Sequence, residues 1–205
     1  MSSSVVFLDD KNYNHTIKVK DKEIKELFIL DTLKSDVNLH INIDIETNSK
    51  VDIVISSLNL ENHNKTFNVL VNHLGDESES YCQVFGVNKD NAKTTFNLEA
   101  IIKDTSRGNY CEQAIKVILL SNSAVIEGKP NLIINTNNIK AKHALAIGRL
   151  NQAHIFYLQN KGLKKGDAIK LILLSYFNVV LYKLEDEKLR EETVQKIYNT
   201  IGKVE

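Results

Sequence analysis

Residues 37–45 read VNLHINIDI. Val37, Leu39, Ile41, Ile43 and Ile45 take every second position, with Asn38, His40, Asn42 and Asp44 between them. Side chains alternate sides along a β-strand, so this period turns one face to a core and the other to water. The same period returns in Val51, Ile53 and Ile55, in Phe67, Val69 and Val71, and in Phe96, Leu98, Ala100 and Ile102. Polar turns fall between the runs, at 47–50, 61–65, 75–80, 88–93 and 104–109. Short strands at such spacing fit a sandwich, a barrel or a β-solenoid. Glycine is sparse, Pro130 is the only proline, and neither Asn-Gly nor Asp-Gly occurs. Tight hairpins favour those dipeptides, so the turns lean towards stacked coils. Periodicity alone ranks solenoid and sandwich equal.

The pattern changes after Gly148. Residues 151–161 predict a short helix with Ile155, Leu158 and Phe156 on one side and Gly162 as its stop. Residues 164–184 predict a second helix. A third, 185–201, carries Leu189, Val194, Ile197, Tyr198 and Ile201 at roughly helical spacing. Asp186 with Arg190 and Glu192 with Lys196 are acid-first pairs at the favourable i,i+4 offset. The chain therefore divides into a β-body, 1–150, and a helical region, 151–205.

With 205 residues the chain can bury a core without metal or disulfide staples. Twenty-six basic and 26 acidic residues balance, which gives no basic bias for nucleic acid. Cys82 and Cys111 form no Cys-x-x-Cys pattern and read as reduced thiols in packing roles. The start, MSSSVVFLDDKNY, lacks a signal peptide's basic and apolar segments. The longest apolar run, near 171–182, is broken by Ser175 and Asn178 and is shorter than the roughly 20 residues a bilayer needs. A soluble cytoplasmic protein is expected, without membrane contact. Nucleotide-binding, hydrolase and zinc-protease motifs are absent from the sequence, so no enzyme is expected. His15, His40, His63, His73 and His154 show no metal-ligand spacing. His143, taken alone, reads as a surface or interface histidine on an edge strand.

Residues 128–162, GKPNLIINTNNIKAKHALAIGRLNQAHIFYLQNKG, say more. Pro130, Leu132, Ile134, Ile139, Lys140, His143, Ala146, Gly148, Phe156, Tyr157, Leu158 and Gly162 stand where the SufB/SufD family has its C-terminal signature. This stretch resembles that family, the scaffolds of the SUF iron–sulfur cluster assembly system. The likeness is firmest over 128–177, where Ala168, Leu171 and Phe177 also match. It extends faintly back to about Thr94 through Gln113 and the run Ile118, Leu119, Leu120, Ser121.

The resemblance implies a right-handed parallel β-helix with a C-terminal helical region, which breaks the tie between solenoid and sandwich. It implies pairing through the β-helices, with a SufB-like chain or a second copy. It also implies docking of a SufC-like ABC-type ATPase by the C-terminal helices, and a transient iron–sulfur cluster fed by a cysteine desulfurase. His143 becomes the candidate metal ligand, since an imidazole can ligate iron beside thiolates. Period two sets it beside Ala141 and Leu145, neighbours expected to leave it poorly hydrated. Phe156, Tyr157, Leu158 and Phe177 become candidate partner contacts. The family's His-Gly is His143-Ala144 here, and its Ser-Arg is Asn160-Lys161. The SufB cluster cysteine corresponds to Ile115, four residues past Cys111. The chain therefore resembles a short SufD. The alternatives are a metal-free β-helix that only binds partners, and a solenoid enzyme with an acidic surface site.

Overall fold

The computed structural model describes residues 2–201. Strands β1 (Ser2–Phe7), β3 (Ile24–Asp31), β5 (Lys50–Asn59), β7 (Glu79–Asn88), β9 (Asn109–Leu119) and β11 (Ile139–Gly148) form one sheet in that order. Strands β10 (Val125–Ile134), β8 (Lys93–Ile102), β6 (Asn64–His73), β4 (Val37–Ile45) and β2 (Asn12–Val19) form the other. All pairings are parallel. Because the chain alternates between sheets, it winds as a solenoid of about five coils. Ile24 pairs with Lys50, Lys50 with Glu79 and Glu79 with Tyr110, so a coil takes roughly 30 residues, a solenoid's period.

The apolar positions read from the sequence face inward. Ile29, Ile55, Val84 and Ile115 lie in one row across the first sheet, all 1% exposed or less. Leu39, Phe67 and Phe96 make the matching row opposite. The Phe67 and Phe96 rings stack at 5.0 Å. Each such side chain contributes about 1.5–3 kcal/mol by leaving water.

Most coils turn on residues other than glycine. Lys22, Asn48, Glu77 and Gly108 have positive φ at equivalent points of successive coils. Their N–H groups donate to Thr47, Asp76, Arg107 and Asn138 carbonyls of the next coil. The left-handed conformation costs a non-glycine residue roughly 1–2 kcal/mol, and the inter-coil hydrogen bond offsets it. Gly75 is required for another reason: a Cβ there would overlap the backbone of Thr47 and Glu46 on the neighbouring coil.

The turn expected at 61–65 ends early, because Asn64 and Lys65 already belong to β6. Lys65 points inward and is fully buried with Asp31. Its Nζ donates to both Asp31 oxygens (3.0 and 2.8 Å) and to the carbonyls of Leu33 (2.7 Å) and Leu58 (2.9 Å). The Ser57 hydroxyl donates to Asp31 Oδ2 at 2.6 Å, and the Leu33 N–H to Oδ1 at 3.0 Å. This buried ion pair is thus hydrogen-bonded throughout.

Three helices follow: α1 (Gln152–Asn160), α2 (Lys165–Leu181) and α3 (Glu187–Ile201). Asn151 caps α1 by accepting from the Ala153 N–H at 2.9 Å. Gly162, at φ +96°, ends it, with the Leu163 N–H donating to the Leu158 carbonyl. Helix α2 lies on the outer face of the six-stranded sheet. Its Leu173, Phe177, Val180 and Leu181 pack with Phe28, Leu30, Val54 and Val87, and Ile197 and Ile201 of α3 close the layer. The ion pairs on α3 are Arg190 with Glu187 and Lys188 with Glu192. Asp186 instead accepts from the Leu189 N–H at 3.0 Å, as a helix cap does.

Candidate functional site

Strands β10 and β11 are consecutive and each ends its sheet, so two free edges lie together at this end of the solenoid, as β1 and β2 leave two at the other. An edge strand presents unpaired N–H and C=O groups to whatever can extend the sheet. Pro130, lacking an N–H, is tolerated in such a strand. No further coil covers the interior rows there. On those rows Leu145 is 46% exposed, and Ile134 and Ile147 are exposed with it, while Val125 and Ile133 are exposed on the outer face of β10. Gly128 makes room at this end, since a Cβ on it would meet the Leu145 side chain and Ile115. The result is an apolar end between two unsatisfied strand edges.

His143 sits in the middle of β11. Its register partner is Gln113, whose partner is Cys82, whose partner is Ile53. That row faces the interior, so His143 shares a face with Ala141 and Leu145 as period two requires. It is exposed, however, not poorly hydrated, because β11 is the last strand of its sheet. Beneath it Gln113 is buried. Gln113 Nε2 donates to the Asn131 carbonyl at 3.2 Å, and its Oε1 has no hydrogen-bond partner among the described residues.

Both cysteines are buried and unbridged. Burial pushes both thiols up, and the Cys111 carboxylate neighbour Glu112 adds to the effect. They are therefore protonated and poor ligands. Among the described residues no three His, Cys, Asp or Glu side chains converge to hold a metal. His143 belongs to no such group among the described residues.

His73, read from the sequence only as lacking metal-ligand spacing, is fully buried at the end of β6. Its Nδ1 and Nε2 lie 2.9 Å from the hydroxyls of Ser78 and Ser80. Ser78 donates to Asn109 Oδ1 at 3.1 Å, which leaves Nδ1 as the donor to Ser78 and Nε2 as the acceptor from Ser80. Burial holds the imidazole down at about 4, against 6.5 when free. Unfolding at low pH therefore takes up a proton that the native state refuses. This stabilisation is fully present above about 6.5 and lost as pH falls towards about 4. Urea midpoints should fall across that window in the wild type, and His73→Gln should flatten the fall.

The helical region supplies a second surface. Phe156 and Tyr157 of α1 are 65% and 60% exposed, Leu158 is half-buried, and Ile155 alone turns fully inward. Phe177, expected with them on a partner surface, has no exposed area; its ring seals α2 against the sheet. A groove of about 510 Å³ runs between α2 and α3, lined by Leu174, Asn178, Leu181, Tyr182, Arg190 and Val194. Tyr182 is 74% exposed at its edge. No described helix is long and apolar enough to cross a membrane.

The fold is a parallel β-solenoid with an open apolar end and an outer helical layer, and comparison with known proteins is more specific. Residues 32–176 match the model of the SUF system FeS cluster assembly SufBD core domain. The chain belongs to that family, and the match reaches well upstream of the signature at 128–162. It is 31% identical over 133 residues to the iron–sulfur cluster assembly protein SufD of Bacillus subtilis, covering 65% of this chain and 30% of that protein. It is 26% identical over 113 residues to SufD of Escherichia coli, covering 48% of this chain and 27% of that protein. The chloroplastic protein ABCI7 of Arabidopsis thaliana is 29% identical over 80 residues, covering 39% and 17%. The chain thus matches less than a third of the length of each of these relatives.

Proposed function

We propose that this chain is a scaffold subunit of a SUF-type iron–sulfur cluster assembly complex in the cytoplasm, without turnover chemistry of its own. It pairs, through the open end of its solenoid, with a SufB-like chain or a second copy of itself. It docks a SufC-like ABC-type ATPase through the C-terminal helices. The cluster is cargo, built from sulfur that a cysteine desulfurase provides, and His143 lends it one imidazole. The observation that carries this reading is His143 on the inner face of the last strand, exposed at an end with two free edges. A ligand there is open to a group that a partner brings to the same end. The exposed Tyr182 and the α2–α3 groove support helix docking, because aromatic anchors beside a groove are what interface hot spots use.

A second reading has its own support. His143 stands alone and both thiols are buried and protonated, which suits a β-helix that binds partners without metal. One experiment separates the two. The complex is reconstituted anaerobically with SufB-like and SufC-like partners, and iron, sulfide and visible absorbance are measured. His143→Ala and His143→Gln should leave the circular dichroism and ATPase binding unchanged but cut cluster yield about tenfold or more, the loss typical when a metal site's supporting groups are removed. Full yield from both variants leaves the metal-free module.

A further inference from the structure

Gln113 holds an acceptor with nothing to accept from. The residue is 2% exposed and sits on β9, the strand next to the last of its sheet. Its Nε2 reaches across to the β10 carbonyl of Asn131 at 3.2 Å, while Oε1 has no partner among the described residues. An amide carbonyl kept from water and left unpaired is costly, and buried polar groups are almost always satisfied. The bond to Asn131 also fixes which way the amide lies, because turning it over would set Oε1 against that carbonyl oxygen.

His143 is the opposite case. It is exposed on the inner face of β11 and makes no hydrogen bond among the described residues. A neutral imidazole holds one N–H and one bare nitrogen. The two residues are register partners on adjacent parallel strands, which lie about 4.8 Å apart with partner side chains on one face. Ring and amide are therefore side by side, and rotation of the His143 side chain brings a ring N–H within reach of Oε1.

Competing acceptors are few. The inner neighbours on β11 are Ala141 and Leu145, and those on β9 are Cys111 and Ile115. Across the interior, Gly128, Pro130 and Leu132 of β10 continue the buried rows of Phe96, Leu98 and Ala100. Of these side chains only Cys111 has a polar atom, a buried thiol, and sulfur is a weak acceptor.

We infer that Gln113 is the positioning residue of His143: Oε1 accepts one ring N–H, fixes a single tautomer, and leaves the bare nitrogen facing the open end. This rests on the ligand role proposed for His143 above. Metal-ligating histidines almost always donate their second ring nitrogen to a carbonyl, a carboxylate or water, and losing that support costs about 10–100-fold in metal affinity or activity. Only the bare nitrogen can ligate, so the tautomer matters as much as the place of the ring.

Nuclear magnetic resonance reads the bond directly on this chain alone, at about pH 8.5, where a free imidazole is neutral. The wild type should show one His143 ring N–H proton, held against exchange with water, with cross-peaks to the Gln113 side chain. Gln113→Met removes both the acceptor and the bond to Asn131. Gln113→Glu removes that bond and keeps an acceptor. The ring N–H should vanish in the first variant and persist in the second. A ring N–H that survives in Gln113→Met overturns the inference, and so does its loss from both variants or its absence from the wild type. If circular dichroism shows that a variant does not fold, the wild-type cross-peaks decide alone.

Cluster yield separates this inference from the reading beneath it. In the reconstituted complex Gln113→Met should lower the yield about tenfold. If His143→Gln loses the cluster and Gln113→Met keeps it, the ligand reading stands and Gln113 is not its positioning residue. If His143→Gln keeps full yield, the ligand reading fails and the positioning role falls with it, while the spectra still decide the bond.

Discussion

Lys65→Met should lower the stability of this protein by about 3–5 kcal/mol, the loss expected when one partner of a buried pair is removed. The side chain is fully buried and satisfies four acceptors: two carboxylate oxygens of Asp31 and the carbonyls of Leu33 and Leu58. Methionine fills most of the volume and none of those contacts. Asp31 then keeps only the Ser57 hydroxyl and the Leu33 N–H. Urea unfolding followed by circular dichroism gives the value. Adding Asp31→Leu should recover part of the loss, because no charge remains buried alone. Recovery should stay incomplete, since the two carbonyls are still unpaired at a cost of about 1–3 kcal/mol each. A Lys65→Met protein as stable as wild type would mean that water reaches this corner and that the pair holds nothing together.

Phe177→Ala should cost about 3–5 kcal/mol, as for other fully buried phenylalanines. Its ring is enclosed between α2 and the outer face of the first sheet, in one cluster with Phe28, Leu30 and Val54. Phe156→Ala, by contrast, should change stability by less than about 0.5 kcal/mol, as surface changes usually do, because its ring is 65% exposed. The same urea series measures both. Equal effects would contradict the packing of α2. The contrast also decides how partner docking is to be tested. Deleting α2 and α3 would uncover Phe28, Leu30, Val54, Leu58 and Val87 together, a patch prone to aggregation. Loss of ATPase binding in such a deletion would then say nothing about the docking surface. Substitutions at Tyr182, Phe156 and Tyr157 avoid this.

The strands of the second sheet were legible because their outer face meets water. In β4, β6 and β8 polar and apolar residues alternate strictly, and burial alternates with them. The first sheet hides more of its strands, although Val51, Ile53 and Ile55 of β5 keep their period. Helix α2 covers its outer face, so Phe28 and Leu30 point outward while Leu27 and Ile29 point inward, and the run Leu27–Leu30 is apolar without a break. Sheets covered on both faces lose their alternation in sequence, and β3 and β7 offered no period to read. Sequence pattern puts Lys65 in a turn, because a lysine is almost never wholly buried unless paired and its partner lies 34 residues away. Nothing local marks His73 either, since the serines that hold it become neighbours only once the corner folds. His143 was found through the family signature. Its face followed from period two, but its exposure did not, because only the strand order shows that no strand lies beyond β11.

Each coil of this solenoid is bonded to the coil before it and the coil after it, except the first and the last, which have a neighbour on one side only. In such stacked architectures stability is close to a sum of terms between nearest neighbours. The coil that carries His143 therefore lacks one of its two terms when the chain is alone. Whatever seats on β10 and β11 supplies the missing term, and its stabilisation grows with the logarithm of its concentration over its dissociation constant. The order of this coil is then not fixed by the amino-acid sequence alone. It rises with occupancy, so that the strand presenting the imidazole reaches its full rigidity only in the company that could use it.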